Sequence, residues 1–127
     1  MKKTIELLKM LGDETRLKIL FLLGEQPRYV CELEYILGKS QPCISHHLKL
    51  LNAYGFVSYD KDGRWIRYSF RPDGNGNANR ELMTLLKTLI PEEKRFSKLI
   101  MERMEKVNRE GKESVCGLSA EKGRNNG

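Results

Sequence analysis

Ser40-Gln41-Pro42-Cys43-Ile44-Ser45-His46-His47-Leu48-Lys49-Leu50-Leu51 describes a helix with two unlike sides, and a basic hairpin follows it closely. Ser40 is placed to cap the N-terminus, and Pro42 suits the first turn, where no backbone N–H is needed. Ile44, Leu48 and Leu51 recur at i, i+4 and i+7, which makes one side core. Gln41, Ser45, His46 and Lys49 occupy the other side. Hydrogen-bonding and cationic residues of this kind suit base edges and phosphates in a major groove. No carboxylate occurs from Tyr35 to Tyr59, although charged residues make up 31% of the chain. A surface that meets a duplex requires that absence, whereas an ordinary solvated helix does not. The segment reads as a recognition helix.

The flanking sequence supplies its scaffold. Ile5, Leu8 and Leu11 form a short amphipathic stripe that stops at Gly12. Asp13 offers an N-cap to a second helix carrying Leu17, Leu20, Phe21 and Leu23, which Gly24-Glu25-Gln26-Pro27 breaks. A third, short helix from about Cys31 to Leu37 buries Leu33, Ile36 and Leu37, and Gly38 closes it. Two helices joined by a tight Gly-containing turn, the second with a polar reading face, make a helix-turn-helix. The recognition helix is expected to end at Tyr54, with Gly55 left-handed and Phe56 folding back onto it. Residues 57–61 and 64–70 then alternate with period two around Asp62-Gly63, a strong hairpin signal. Ile66, Tyr68 and Phe70 are expected to face the core, with Trp65 and Arg67 outward. Lys61 and Arg64 flank the tip of this wing, within reach of phosphates or a minor groove. The expected DNA-contacting set is therefore Ser40, Gln41, Ser45, His46, Lys49, Lys61, Arg64 and Arg67.

Residues 72–77 read as a flexible joint. Beyond it Leu82, Leu85, Leu86, Leu89 and Ile90 form a wide apolar stripe, Pro91 interrupts, and Phe96, Leu99, Ile100, Met104 and Val107 continue at seam-like spacing. A three-helix unit with a wing is too small to need all of this apolar surface. A symmetric dimer is the simplest occupant, through Ile5, Leu8, Leu82, Leu85, Leu86, Leu89, Phe96, Leu99 and Ile100. The expected architecture is mainly α with a small β-hairpin wing: a winged helix-turn-helix in residues 1–110, dimerised through N- and C-terminal helices. The Gly/Ser/Asn/Lys-rich residues 111–127 are expected to form a disordered tail.

Charge and cysteine usage narrow the setting. A net charge of +6 and a pI near 9.3 favour a polyanionic partner. The distribution decides it: residues 39–71 hold six Lys/Arg against Asp60 and Asp62, while the last third is nearly balanced. No apolar run approaches the roughly 18 residues that a membrane span requires. The N-terminus places Glu6 and Lys9 where a signal peptide would be apolar, so it reads as the start of a cytoplasmic helix. Three irregularly spaced cysteines imply free thiols in a reducing compartment.

Taken together, these residues resemble the ArsR/SmtB family of winged-helix repressors. Leu11-Gly12-Asp13-Glu14-Thr15-Arg16-Leu17-Lys18-Ile19-Leu20 is similar to the family's Leu-Ala/Gly-Asp-x-Thr-Arg-x-x-Ile-Leu signature. Ser40-Gln41-Pro42, Ser45-His46-His47-Leu48 and Leu51 match its recognition helix, and Gly55-Phe56-Val57 with Gly63-Arg64 and Tyr68 match its turn and wing. The resemblance runs from about Ile5 to Phe70. It implies a homodimeric repressor that holds a palindromic double-stranded operator until an inducer arrives. Gln41, Ser45 and His46 would read bases, Lys49 would support them, and Arg64 would act from the wing. His47, at the motif's fixed histidine, is read as structural.

The inducer is less constrained. Some members bind zinc through Asp and His on the dimer helix; here the only histidines are His46 and His47, both on the reader helix. Others bind soft ions through Cys-x-Cys at the start of the third helix, of which only Cys31 is present. Cys31 and Cys43 each lie near a helix N-terminus, which favours thiolate, the form that binds As(III) and that oxidises or persulfidates. The pair is expected to form a switch, with Cys116 as a third ligand if the inducer is a metalloid. No cofactor is otherwise required. A constitutive winged-helix DNA-binding protein and a winged-helix protein-interaction module are the alternatives. No nucleophile–base–orienter set suggests an enzyme.

Overall fold

The computed structural model describes residues 1–92 and 98–116 of the 127-residue chain. Helix α2 (Glu14–Glu25) lies at its centre, because Ile19, Leu20, Phe21, Leu22 and Leu23 are buried in succession and leave no face for solvent. Asp13 caps it by accepting from the Arg16 N–H at 3.0 Å, as the sequence predicts. Helix α1 (Lys2–Leu11) precedes it; α3 (Val30–Leu37) and α4 (Gln41–Ala53) follow as the helix-turn-helix. Ser40 caps α4 through the Cys43 N–H, and Ile44, Leu48 and Leu51 are fully buried. The predicted termination also holds. The Gly55 N–H donates to Asn52 O and the Phe56 N–H to Leu51 O, the paired bonds of a left-handed helix stop, with Gly55 at φ 79°.

The sheet has three antiparallel strands in the order β1-β3-β2: β1 (Arg28–Tyr29), β2 (Val57–Asp62) and β3 (Trp65–Phe70). Strands β2 and β3 form the expected hairpin, pairing Val57 with Phe70 at the base and Asp62 with Trp65 at the tip. Of β2 only Val57 is buried, so the hairpin projects from the helical body. Projection corrects one expectation. Ile66 is exposed while Tyr68 is buried, because the shared face of β3 runs out of helices beneath it before the tip. Trp65, expected outward, packs partly against the core. Two-residue β1 was not foreseen; Arg28 and Tyr29 pair with Tyr68 and Arg67.

Helix α5 (Ala78–Leu89) is followed by a 3-10 turn at Ile90–Glu92, where Pro91 was expected to interrupt, and by α6 (Lys98–Glu110). The segment leading into α5 is ordered by hydrogen bonds, not the flexible joint its composition suggests. Asn75 Nδ2 donates to Tyr54 O at 3.1 Å and to Asn79 Oδ1 at 3.0 Å. Buried Asn79 donates in turn to Gly55 O at 2.9 Å and Arg71 O at 2.7 Å. A Cβ on Gly74 would lie 2.3 Å from Gly55 O, so this close approach requires glycine. Short polar side chains here replace solvent as partners for the carbonyls at the end of α4.

The C-terminal expectations also change. Met83, Leu86, Ile90, Ile100, Met104 and Val107 are buried within this one chain, so Leu86 and Ile100 leave the expected dimer set, and Leu82 is partly buried against the same core. Phe96 lies outside the described residues. Ile5, Leu8, Leu85, Leu89 and Leu99 remain exposed. The expected disordered tail does not begin at 111: residues 112–116 are helical, with Val115 and Cys116 buried. Polar composition averaged over the whole tail concealed this one apolar turn. Residues 117–127 lie outside the described residues. Among the described residues no helix is long and apolar enough to cross a membrane.

Candidate nucleic-acid interface

Helix α4 presents the polar side that its spacing implied. Gln41, His46 and Lys49 are exposed and Ser45 is half-buried, while Ser40 at the cap is exposed. Gln41 Nε2 donates to Ser45 Oγ at 2.7 Å, one turn apart, which holds two hydrogen-bonding groups side by side at the start of the helix. The Pro42 ring is exposed beside them, and Cys43, the one free cysteine, is half-buried in the same turn.

His47 faces the other way. Arg16 Nε donates to His47 Nδ1 at 3.0 Å, which assigns the ring proton to Nε2, and Arg16 Nη1 also donates to Met10 O at 3.0 Å. Burial pushes His47 below its ordinary 6.5; Asp13 opposes this, and the Arg16 cation adds to it. Asp13 is itself held below its usual range: burial opposes this, but the Arg16 N–H and the neighbouring positive groups outweigh it. A neutral histidine accepting from a fixed arginine ties α4 to α2 and α1. The structural reading of His47 fits this geometry.

On the wing, Lys61 and Arg64 are exposed at the tip, with the Arg64 guanidinium 5.2 Å from the Trp65 ring centre. Arg67 differs from them. It lies opposite Asp60 and donates to it through Nε at 3.3 Å and Nη2 at 2.8 Å, a two-point pair that occupies its guanidinium within the hairpin. Asp62 is likewise occupied, accepting from Tyr29 Oη at 2.6 Å. Both wing carboxylates are thus bound by neighbours.

The cysteines do not pair as the sequence suggested. Cys31, at the start of α3, forms a disulfide with Cys116, across 85 residues and with Cα atoms 5.0 Å apart; Cys43 is outside the pair. The expected Cys31–Cys43 switch is corrected accordingly, as is the expectation of three free thiols. Its basis was the nearness of two helices in sequence; the helical turn at 112–116 instead carries Cys116 back to α3. Among the described residues no group of three His, Cys, Asp or Glu is placed to hold a metal.

Residues 13–59, from the α2 cap to the first residues of β2, match the pattern described as bacterial regulatory protein, arsR family. An uncharacterized HTH-type transcriptional regulator of Methanocaldococcus jannaschii is 46% identical over 68 residues, 53% of this chain and 76% of that protein. The chain belongs to the ArsR family. The arsenical resistance operon repressor of Escherichia coli K12 is 46% identical over 69 residues, which are 54% of this ArsR-family chain and 59% of that repressor. Among solved structures, the transcriptional regulator HlyU of Vibrio vulnificus superposes with a TM-score of 0.60 at 32% identity, covering 69% of this chain and 88% of that one. These relatives are transcriptional regulators rather than enzymes, and the fold is their winged helix.

Three features of this ArsR-family chain escaped the sequence reading. Arg28 is wholly buried: Nε donates to Leu22 O at 3.2 Å and Nη1 to Asn108 Oδ1 at 3.0 Å, while Nη2 lies 3.6 Å from Glu25 Oε2. Asn75 and Asn79 clasp the end of α4, and Tyr29 holds the wing tip. No local periodicity marks any of them, since each also depends on a partner distant in sequence: Asn108 for Arg28, Tyr54 and Gly55 for the asparagines, and Asp62 for Tyr29.

Proposed function

We propose that this chain is a homodimeric repressor that reads double-stranded DNA with α4 and the wing and leaves its operator when Cys31 and Cys116 are oxidised to the disulfide. One observation carries the DNA reading. An acid-free helix face of Gln41, Ser45, His46 and Lys49 stands open beside a wing whose two carboxylates are engaged and whose Lys61 and Arg64 are exposed. Gln41 and Ser45 would contact base edges, and Lys49, Lys61 and Arg64 phosphates. Ser40 and His46 flank this set, and Arg67 serves it indirectly by neutralising Asp60. Exposed Ile5, Leu8, Leu85, Leu89 and Leu99 support a dimer, since a monomer would leave all five in water.

Oxidation removes two protons and two electrons from the thiols, taken up by a low-molecular-weight disulfide that leaves as two thiols. The same two sulfurs, when reduced, could instead bridge a thiophilic ion such as As(III), the reading favoured by the arsenical repressor among the relatives. The test is binding to a duplex selected by this protein from a random-sequence pool. It is run with reductant, with oxidised glutathione and with arsenite, on the wild type, Cys31→Ser, Cys43→Ser and Cys116→Ser. Release by oxidised glutathione that is lost in Cys31→Ser and Cys116→Ser but kept in Cys43→Ser is expected. Equal binding to every sequence, or the same response in all three variants, defeats the proposal.

A further inference from the structure

The Cys31–Cys116 bond does more than close a loop, because the residues around it reach the wing. Lys112 and Cys116 are four apart on one helical turn and so share a face. While Cys116 is bonded to Cys31, Lys112 Nζ lies 4.7 Å from the centre of the Tyr29 ring and 4.0 Å from Asp62 Oδ2. Tyr29 directly precedes α3, two residues from Cys31, and its hydroxyl donates to the same Asp62 oxygen at 2.6 Å. Asp62 is the last residue of β2 and pairs with Trp65 at the tip. A continuous set of contacts therefore runs from the disulfide through Lys112 and Tyr29 to the wing tip. Glu113 competes only in part: it meets Lys112 Nζ at 3.3 Å from the solvent side, while the Lys112 side chain is largely covered.

We propose that residues 112–116 form a latch that fixes the wing tip to the helical body while the Cys31–Cys116 bond is closed, with Lys112 and Tyr29 as wing-positioning residues. A surface ion pair at 4.0 Å is weak on its own and would not hold a chain segment in place. The covalent bond supplies what it lacks, by keeping Lys112 beside Asp62 at high effective concentration. Opening the bond frees the segment, and Asp62 keeps only the tyrosine. A pinned wing has less freedom to follow a groove, so the closed latch is the form that releases DNA. This deepens the thiol-responsive reading above and rests on it for the direction of the effect on DNA.

The structure supplies its own probe, because Trp65 is the sole tryptophan and lies at the wing tip. The full chain is compared with the bond closed and after reduction by dithiothreitol, whose two thiols become a cyclic disulfide as the two cysteines take up two electrons and two protons. Acrylamide quenching of Trp65, without DNA, should increase on reduction. Lys112→Met and Tyr29→Phe should show the increased quenching with the bond still closed. Affinity for the selected duplex should fall about tenfold on closing the bond in the wild type, within the ordinary range of coupling between two sites, and much less in either variant. Quenching of Trp65 that ignores the bond overturns the latch, as do variants that respond to it as the wild type does. If quenching responds but affinity does not, the latch stands and the thiol-release reading fails.

Discussion

The outward side of α4 and the segment 98–116 are both rich in polar residues and use them in opposite ways. On α4, Gln41, His46 and Lys49 extend into solvent, and the closest internal bond joins Gln41 to its own neighbour Ser45. In the C-terminal segment Glu102, Glu105, Arg109 and Glu110 are exposed, but four other polar side chains take partners on distant elements. Arg103 donates to Tyr35 O and lies over the Tyr35 ring with Lys106, Asn108 accepts from Arg28 and Gln26, and Lys112 reaches Tyr29 and Asp62. A surface left open in this way suits a partner outside the chain, whereas a surface bound internally sets the position of other elements. Changes on α4 should therefore alter binding and spare stability. Changes in the C-terminal contacts should alter stability or response and spare sequence preference.

The largest test of that division is Arg28→Ala. It removes the buried guanidinium from Leu22 O and from beside Glu25 and leaves Asn108 with Gln26 alone, so a loss of about 3 kcal/mol is expected in urea unfolding. Sequence preference in the protein that remains folded should be unchanged. A cost below about 0.5 kcal/mol, the range of ordinary surface substitutions, would break the comparison on the C-terminal side.

Next comes the apolar surface that the chain leaves exposed. Leu89 is 52% exposed, so Leu89→Glu should leave the subunit folded yet yield monomers in sedimentation. Duplex affinity should fall about 100-fold, because two linked half-site contacts become one. Unchanged sedimentation would place the dimer elsewhere.

Smaller effects are expected on α4 and the wing. Gln41→Ala should cost about 1–3 kcal/mol of discrimination at one base position, while Lys49→Ala or Arg64→Ala should weaken all sequences alike and reduce the salt slope by about 1. None should shift unfolding by more than about 0.5 kcal/mol. Footprints should cover half-sites about 34–36 Å apart or a multiple of that. A large stability loss from Lys49→Ala would show that the open face carries internal weight after all.

The smallest effect sharpens the seam between the two sides of α4. His47 is held below its ordinary 6.5, so the unfolded chain binds the proton more readily than the folded one. Its contribution is complete above about 6.5 and is lost as pH falls through the lowered folded value. Melting temperature should decline as pH drops from 7 toward 5, by an amount reduced in His47→Gln, with duplex preference retained at pH 7.

Local signals determined a large part of this molecule. Asp13 and Ser40 as caps, the Gly55-Phe56 stop, the Asp62-Gly63 turn and the buried spacing of Ile44, Leu48 and Leu51 were all legible, since each depends on residues within about two helical turns. The family signature and the composition of the reading face belong to the same class. What the tertiary structure alone decided involves partners far apart along the chain: Asn79 at Gly55, Arg28 at Asn108, and Cys31 at Cys116 instead of Cys43. It also decided which leucines of α5 the subunit keeps for itself, burying Leu86 and leaving Leu85 and Leu89 in water. Periodicity tells which side of an element is apolar. It carries no information about which other element will cover that side, because that depends on the three-dimensional path of the whole chain.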